Sequence, residues 1–434
     1  MLELRDYQQH AVDCALKETN NTIISAATGS GKSLIIAALA KRIPGNILIF
    51  QPTKEILEQN VNHYRDIVDD NFSVLSASTN SFDVGKITFS TIGTAKNRIS
   101  LFTRNLDLII IDECHNMPLK RDSMYMKFLK EINYKGRIIG LTATPYRIED
   151  NTWDSKNKMS RPCLKVLTEI GKENKGGPFW KSICCDENIQ MLIERDFLIK
   201  PQYKLYDNQE KLRLLQTNNN GRLTQECLRN WDEQNELIIT GACKEAYSLH
   251  KKIICFVNTI EVAESITNRL KNSGIHAEYV ASTRSYKEVN KIIQNFRETQ
   301  EKTVLINVNQ LTEGFDVKPC DAVILGTPTS SLRRYQQRVG RCIRPWPNKK
   351  PVVYDVARSS EKFGKVENIQ LAKKKTGEYL VLKKEGDKLK VLSGWLNSVE
   401  KDRRQAEKYS WAYRYYKNQS KYKKSKKKQN KRRK

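Results

Sequence analysis

The chain has 434 residues, of which 39% are hydrophobic, and 76 Lys+Arg against 49 Asp+Glu give a formal net charge of +27. That length is a prior for about three domains, and the apolar fraction suffices for two cores. No apolar run approaches the ~20 residues of a membrane span, ten cysteines without a CxxC pair argue against a disulfide scaffold and for a reduced cytosolic compartment, and the opening MLELRDYQQH has no apolar h-region, so no secretory signal is expected.

Strands are predicted at 22–26, 46–50, 86–91, 106–112 and 137–142, each β-branched and nearly continuously apolar, as strands buried on both faces are. Helices are predicted between them, for instance at 34–43, 54–68 and 124–132. This alternation predicts a parallel, doubly wound sheet. The rhythm stops after Pro145: positions 151–177 are polar, and Asn174-Lys175-Gly176-Gly177-Pro178 is a breaker run. It returns from about Glu236, with strands at 252–258, 303–308, 322–325 and 352–356 and helices at 260–271 and 286–296. The expected organisation is an α/β domain over 1–150, a joining segment or insertion over 151–235, and a second α/β domain over 236–357. A partly helical extension over 358–420 and a disordered basic tail over 421–434 follow. Positions 358–434 hold 26 of the 76 Lys+Arg but 8 of the 49 Asp+Glu, and the last fourteen residues hold ten basic side chains and no acidic one. Such a block is a polyanion-binding tail or a solvated one. Counterion release favours nucleic acid as its partner.

Ala26-Ala27-Thr28-Gly29-Ser30-Gly31-Lys32-Ser33 follows the first strand and opens an apolar helix, which is the setting of a phosphate-binding loop. Its glycines let backbone N–H groups wrap a phosphate. Lys32 would reach the β- and γ-phosphates, and Ser33 would ligate Mg²⁺. Leu108-Ile109-Ile110-Ile111-Asp112-Glu113 ends a buried strand in two carboxylates at the carboxyl edge of the sheet. Asp112 would hold Mg²⁺ through water, and Glu113 would orient or deprotonate the attacking water. Farther along, Gln337, Arg341 and Arg344 stand at i, i+4 and i+7, which predicts one helix face. Arginine forks there could stabilise charge on a transferring phosphoryl group.

The motif order resembles superfamily 2 helicases and translocases over about residues 1–357. The matching stretches are Leu4-Arg5-Asp6-Tyr7-Gln8, the phosphate loop, Gln51-Pro52-Thr53-Lys54-Glu55-Ile56-Leu57-Glu58-Gln59, Phe89-Ser90-Thr91 and Asp112-Glu113-Cys114-His115. They continue with Leu141-Thr142-Ala143-Thr144-Pro145, Phe256-Val257-Asn258-Thr259, Thr312-Glu313-Gly314-Phe315-Asp316, and Gln337 through Arg344. Thr142-Ala143-Thr144-Pro145-Tyr146-Arg147 and the stretch 191–201 look more like the RadD, phage UvsW and restriction-motor branch than the DEAD-box RNA branch, although the cysteine-rich C-terminal zinc region of RadD-type proteins is absent from this chain.

The resemblance implies two tandem RecA-like domains with an ATP cleft between them. It implies that Gln8 reads adenine, that Thr28, Gly29, Ser30, Gly31, Lys32 and Ser33 hold phosphate and Mg²⁺, and that Gly314 and Asp316 contact the nucleotide. Asp112, Glu113, Gln337, Arg341 and Arg344 complete the catalytic set. Thr53, Lys54, Ser90, Thr91 and Thr312 would track strand phosphates, and Thr142 and Thr144 would couple hydrolysis to domain motion. The implied activity is ATP-driven movement on duplex, forked or branched DNA in repair, recombination or replication. Single-stranded DNA or RNA are further partners, no membrane is involved, and a cytoplasmic or nucleoid-associated monomer is expected. An RNA helicase or transcript-release motor, and an ATP-gated clamp that does not unwind, stay open beside it.

Overall fold

A computed structural model of the chain describes residues 3–67, 72–76, 81–102, 106–154, 159–172, 176–207, 223–310, 319–386 and 388–395. The expectations for Thr312, Gly314, Asp316 and the basic tail lie outside the described residues. The chain divides into two units: the first holds 1–147 and 167–197, the second 148–166 and nearly all of the chain from 198 on.

The first unit is built on an eight-stranded sheet ordered Ser182–Glu187, Thr22–Ala26, Arg137–Thr142, Leu108–Ile111, Ile47–Phe50, Ile87–Ser90, Ser73–Ser76, Ser81–Phe82. All pairs are parallel except the last. Every residue of Ile47–Phe50 and Leu108–Ile111 is buried, as parallel strands covered on both faces must be. The helix Asp6–Lys17 turns Tyr7, Ala11, Val12 and Ala15 inward. Lys54–Ile67 buries Ile56, Leu57, Val61 and Tyr64, and the Tyr64 ring meets Phe89 edge-on at 4.9 Å. Gly140 on the central strand Arg137–Thr142 cannot carry a side chain. A Cβ there would stand 2.6 Å from the Trp180 ring and 2.7 Å from the Cys114 sulfur. Trp180 itself is fully buried, so it is a core residue under this sheet.

The segment expected to join two domains contributes strands to both sheets. Ser182–Glu187 pairs in parallel with Thr22–Ala26 at the edge of the first sheet, with a register shift between Ile23 and Ile24. Gln202–Leu205 is the edge of the second. The former buries every second residue, so it lacks the continuous apolar run that marks a central strand.

The second unit has a six-stranded, all-parallel sheet ordered Gln202–Leu205, Val352–Asp355, Ala322–Leu325, Lys252–Val257, Thr303–Val308, Ala277–Val280. The 25-residue helix Gln225–Leu249 lies against it, burying Trp231, Ile239, Ala242, Cys243 and Ala246. Residues 396–420 of the expected partly helical extension lie outside the described residues, which leaves 358–395 as its described part. Beyond the five-residue helix Ser359–Phe363 and a single 3-10 turn it is an antiparallel sheet of Ile369–Lys373, Tyr379–Glu385 and Lys388–Val391. Leu380, Leu382 and Val391 form its small core, with Ala372 and Leu389 packed against it. A second three-stranded sheet holds Tyr146–Asp154, Met159–Val166 and Gly394–Trp395, the last two antiparallel with Trp395 opposite Cys163.

Candidate active site

The strand Thr22–Ala26 runs into the turn 27–31, and a helix begins at Lys32. Gly29 and Gly31 have φ of +88° and +80°, the left-handed region that costs a side-chain-bearing residue ~1–2 kcal/mol. Gly31 is doubly constrained, because a Cβ would also lie 2.5 Å from Gln8 Nε2. Gln8 Nε2 and the Tyr7 hydroxyl both donate to the Ser30 carbonyl at 2.8 Å, and Gln8 Oε1 accepts from Arg5 N at 3.0 Å. Gln8 is only 2% exposed. Its amide braces the loop through the Ser30 carbonyl. The Tyr7 ring lies 4.8 Å from Phe197, and the Arg5 and Arg195 guanidinium groups stand over that ring at 4.9 and 5.2 Å.

Asp112 and Glu113 follow the strand Leu108–Ile111 at the same sheet edge. Glu113 has φ of +45°, a strained conformation of the kind found at functional sites. Its N–H donates to Asp112 Oδ1 at 2.9 Å, and its Oε1 pairs with Lys32 Nζ at 3.1 Å. Its other oxygen is 3.3 Å from His115 Nδ1 and accepts from the Thr142 hydroxyl at 3.5 Å. His115 Nδ1 and Thr142 Oγ1 are 2.6 Å apart, and Thr142 Oγ1 accepts from Thr144 N at 3.0 Å. One hydrogen-bonded line thus runs from Lys32 through Glu113 and His115 to the turn holding Thr142 and Thr144.

Burial pushes the Asp112 carboxyl up to about 7; the Glu113 carboxylate adds to the rise and Lys32 opposes it. Two carboxylates facing one lysine leave this edge short of positive charge. Ser33 Oγ donates to Asn60 Oδ1 at 2.9 Å. Asn60 Nδ2 in turn lies 2.8 Å from Gln51 Oε1 and 3.3 Å from Asp112 Oδ2. Ser30 Oγ is buried with no hydrogen-bond partner among the described residues. A hydroxyl and a carboxylate beside a glycine-rich turn are the hard oxygen donors that suit Mg²⁺ on a phosphate. Tyr7 and Gln51 lie in motif stretches without a role assigned from sequence, and Asn60 lies outside the motifs with no signal in its spacing.

The remaining expected site residues divide. Thr53 and Lys54 are exposed where the helix Lys54–Ile67 begins, and Thr53 Oγ1 accepts from Ile56 N at 3.3 Å. Thr91 caps the helix Ile92–Lys96 through Thr94 N. Ser90 is corrected: it is fully buried, and its hydroxyl reaches the Leu75 and Thr91 carbonyls at 3.0 and 3.1 Å, so it faces the protein interior. The single helix face for Gln337, Arg341 and Arg344 is corrected too. The helix Leu332–Val339 stops at Gly340, so only Gln337 lies on it; Arg341 lies in the turn that follows and Arg344 in a bend beyond it. Arg338 is a core residue: it is buried, donates to the Thr327 carbonyl at 3.1 Å and lies over the Phe256 ring.

Residues 1–147 match the family described as "Type III restriction enzyme, res subunit", and residues 237–345 match "Helicase conserved C-terminal domain". A 51.5 kDa protein of a Lactococcus phage is 26% identical over 77% of this chain and 65% of its own length. The "Putative ATP-dependent helicase IRC3" of Saccharomyces cerevisiae is 26% identical over 79% of this chain and 49% of its own length. The chain therefore spans less than two thirds of either relative. The "DNA 3'-5' translocase XPB2" of Sulfurisphaera tokodaii is 26% identical, with 79% of each chain covered. Among solved structures, the type ISP restriction-modification enzyme LlaBIII bound to DNA shares the fold at a TM-score of 0.56 and 19% identity, over 81% of this chain and 28% of that one. S. cerevisiae Dbp5 bound to RNA and ADP BeF3 does so at 0.52 and 16%, over 81% and 83%.

Proposed function

The chain belongs to the superfamily 2 helicases, and from that premise we propose that it hydrolyses ATP with Mg²⁺ and couples turnover to movement along duplex or branched DNA. The observation that carries the chemistry is the pairing of Lys32 with Glu113 at 3.1 Å, next to buried Asp112 and the left-handed glycines of the phosphate loop. In this reading Lys32 binds the β- and γ-phosphates and the loop N–H groups cradle them. Ser33 would hold the Mg²⁺ directly and Asp112 through water, and the ion would neutralise phosphate charge. Glu113 releases Lys32 to the phosphates and accepts a proton from the attacking water. Arg341 and Arg344 act on the transferring charge on the strength of the sequence motif. The line Glu113–His115–Thr142–Thr144 gives the γ-phosphate position a route into the turn after the strand Arg137–Thr142.

Duplex DNA is favoured over RNA by two observations. One is the translocase name of the archaeal relative, and the other is the sequence 142–147 with the stretch 191–201. Thr53, Lys54 and Thr91 contact strand phosphates without reading bases, so movement is independent of sequence. A reduced, cytosolic or nucleoid-associated setting follows from that substrate.

The test is steady-state ATP hydrolysis without polymer and with duplex DNA, single-stranded DNA, a fork and RNA, using Glu113→Gln as the blank. Stimulation by duplex or forked DNA supports the translocase. Stimulation by RNA alone moves the chain to the RNA helicases. Tight polymer binding with no turnover above the blank leaves only the clamp.

A further inference from the structure

Asn60 joins the two oxygens assigned to the metal. Its side-chain oxygen accepts the Ser33 proton at 2.9 Å, and its amide nitrogen is 3.3 Å from Asp112 Oδ2. The same nitrogen donates to Gln51 Oε1 at 2.8 Å, and Gln51 is 1% exposed. The second Asp112 oxygen accepts from Glu113 N at 2.9 Å.

A hydroxyl that ligates a cation does so through an oxygen lone pair and keeps its proton, which needs an acceptor directed away from the metal. Asn60 Oδ1 is that acceptor for Ser33. A carboxylate that holds the metal through water is likewise oriented by the donors on its other lone pairs, and Asn60 Nδ2 and Glu113 N are such donors to Asp112. Only a side chain carrying both a donor and an acceptor can serve the two ligands at once. Asn60 does so from 9% exposure, in the middle of the helix Lys54–Ile67.

We propose that Asn60 is a positioning residue for the nucleotide's Mg²⁺, setting the Ser33 hydroxyl and the Asp112 carboxylate at once. This rests on the Mg²⁺–ATP reading above and adds to it a residue outside the sequence motifs. Outer partners of metal ligands typically matter 10–100-fold in metal affinity. The helix that begins with the strand-tracking residues Thr53 and Lys54 thereby also holds the metal ligands, so its position and metal affinity are linked.

The experiment is equilibrium binding of a fluorescent ATP analogue to the full chain, titrated with MgCl₂ and repeated in EDTA. It compares wild type with Asn60→Ala, Asn60→Leu, Ser33→Ala and the Ser33→Ala/Asn60→Ala double variant. Wild type should bind more tightly as Mg²⁺ rises. Asn60→Ala should need about 10–100 times more Mg²⁺ for the half-maximal effect and keep wild-type affinity in EDTA. In the Ser33→Ala background the same change should add less than it does in wild type, because the Ser33 part of its effect is already lost and only the Asp112 part remains. Asn60→Leu keeps the volume, so it covers the case in which the alanine variant does not fold, and it should shift the Mg²⁺ curve in the same way. An unshifted Mg²⁺ curve, an equal loss of affinity in EDTA, or full additivity with Ser33→Ala would overturn the assignment of Asn60. No Mg²⁺ response in wild type itself would instead overturn the Mg²⁺–ATP reading beneath it.

Discussion

Glu113 carries more of the site than its place in a four-residue motif conveys. A left-handed backbone at a glutamate is held only where the surroundings determine it. Here they do: its N–H is held by Asp112 Oδ1, and its carboxylate by Lys32 and the His115–Thr142 pair. Replacing Glu113 by Gln keeps the shape and removes the carboxylate proposed as the base. ATP turnover should fall by about 10²–10⁴-fold, the range for a lost general base, while nucleotide binding persists. Lys32→Ala should lose both. A Glu113→Gln chain that still turns over near the wild-type rate would remove Glu113 from the base role. Equal nucleotide affinity in Lys32→Ala would remove Lys32 from the phosphates.

Elements constrain each other through single residues. On the strand Arg137–Thr142, Gly140 lies under Trp180 and Cys114 with no space for a methyl group. Gly140→Ala should destabilise the first unit by about 1–3 kcal/mol, as overpacking does, and a denaturant melt with an unchanged midpoint would show that Trp180 can move aside. In the second unit, buried Asp232 of the helix Gln225–Leu249 accepts from Asn258 N and Thr259 N at 2.6 and 3.0 Å, fixing the loop after the strand Lys252–Val257. Burial raises its carboxyl from 3.8 to about 6; hydrogen bonds from those amides oppose the rise. The folded chain then holds that proton more tightly than the unfolded chain. The contribution is fully present below pH ~4 and is lost as pH rises to about 6. Asp232→Asn keeps an acceptor for both amides without the charge. Its stability relative to wild type should rise between pH 4 and 6 by at most roughly 3 kcal/mol. Parallel stability curves for the two proteins across that range would contradict the assignment.

At the scale of the whole molecule, charge is segregated. The last fourteen residues hold ten basic side chains, beyond the described structure. If they engage phosphates, removing 421–434 should weaken DNA binding and reduce the slope of log affinity against log salt by about 0.9 for each duplex phosphate that the tail neutralises. Basal ATP turnover should stay unchanged. A truncated chain with the full-length slope would assign the tail to solvent.

The sequence by itself determined the features that are local in the chain. The phosphate loop needs glycines at closely spaced positions. The central strands at 22–26, 46–50 and 108–111 are buried on both faces and so read as unbroken apolar runs. The pair Asp112-Glu113 lies at a strand end, where its sheet edge follows from the chain direction. Tertiary structure alone decided what depends on distant partners. Ser182–Glu187 is a half-exposed edge strand whose partner lies 160 residues earlier. Gln8 and Asn60 are defined by hydrogen bonds across 22 and 52 residues, respectively. Arg341 and Arg344 have helical spacing, but Gly340 ends the helix before them. Periodicity reports one element's burial pattern. A hydrogen bond between side chains on different elements depends on how those elements pack, and no spacing within either one encodes it.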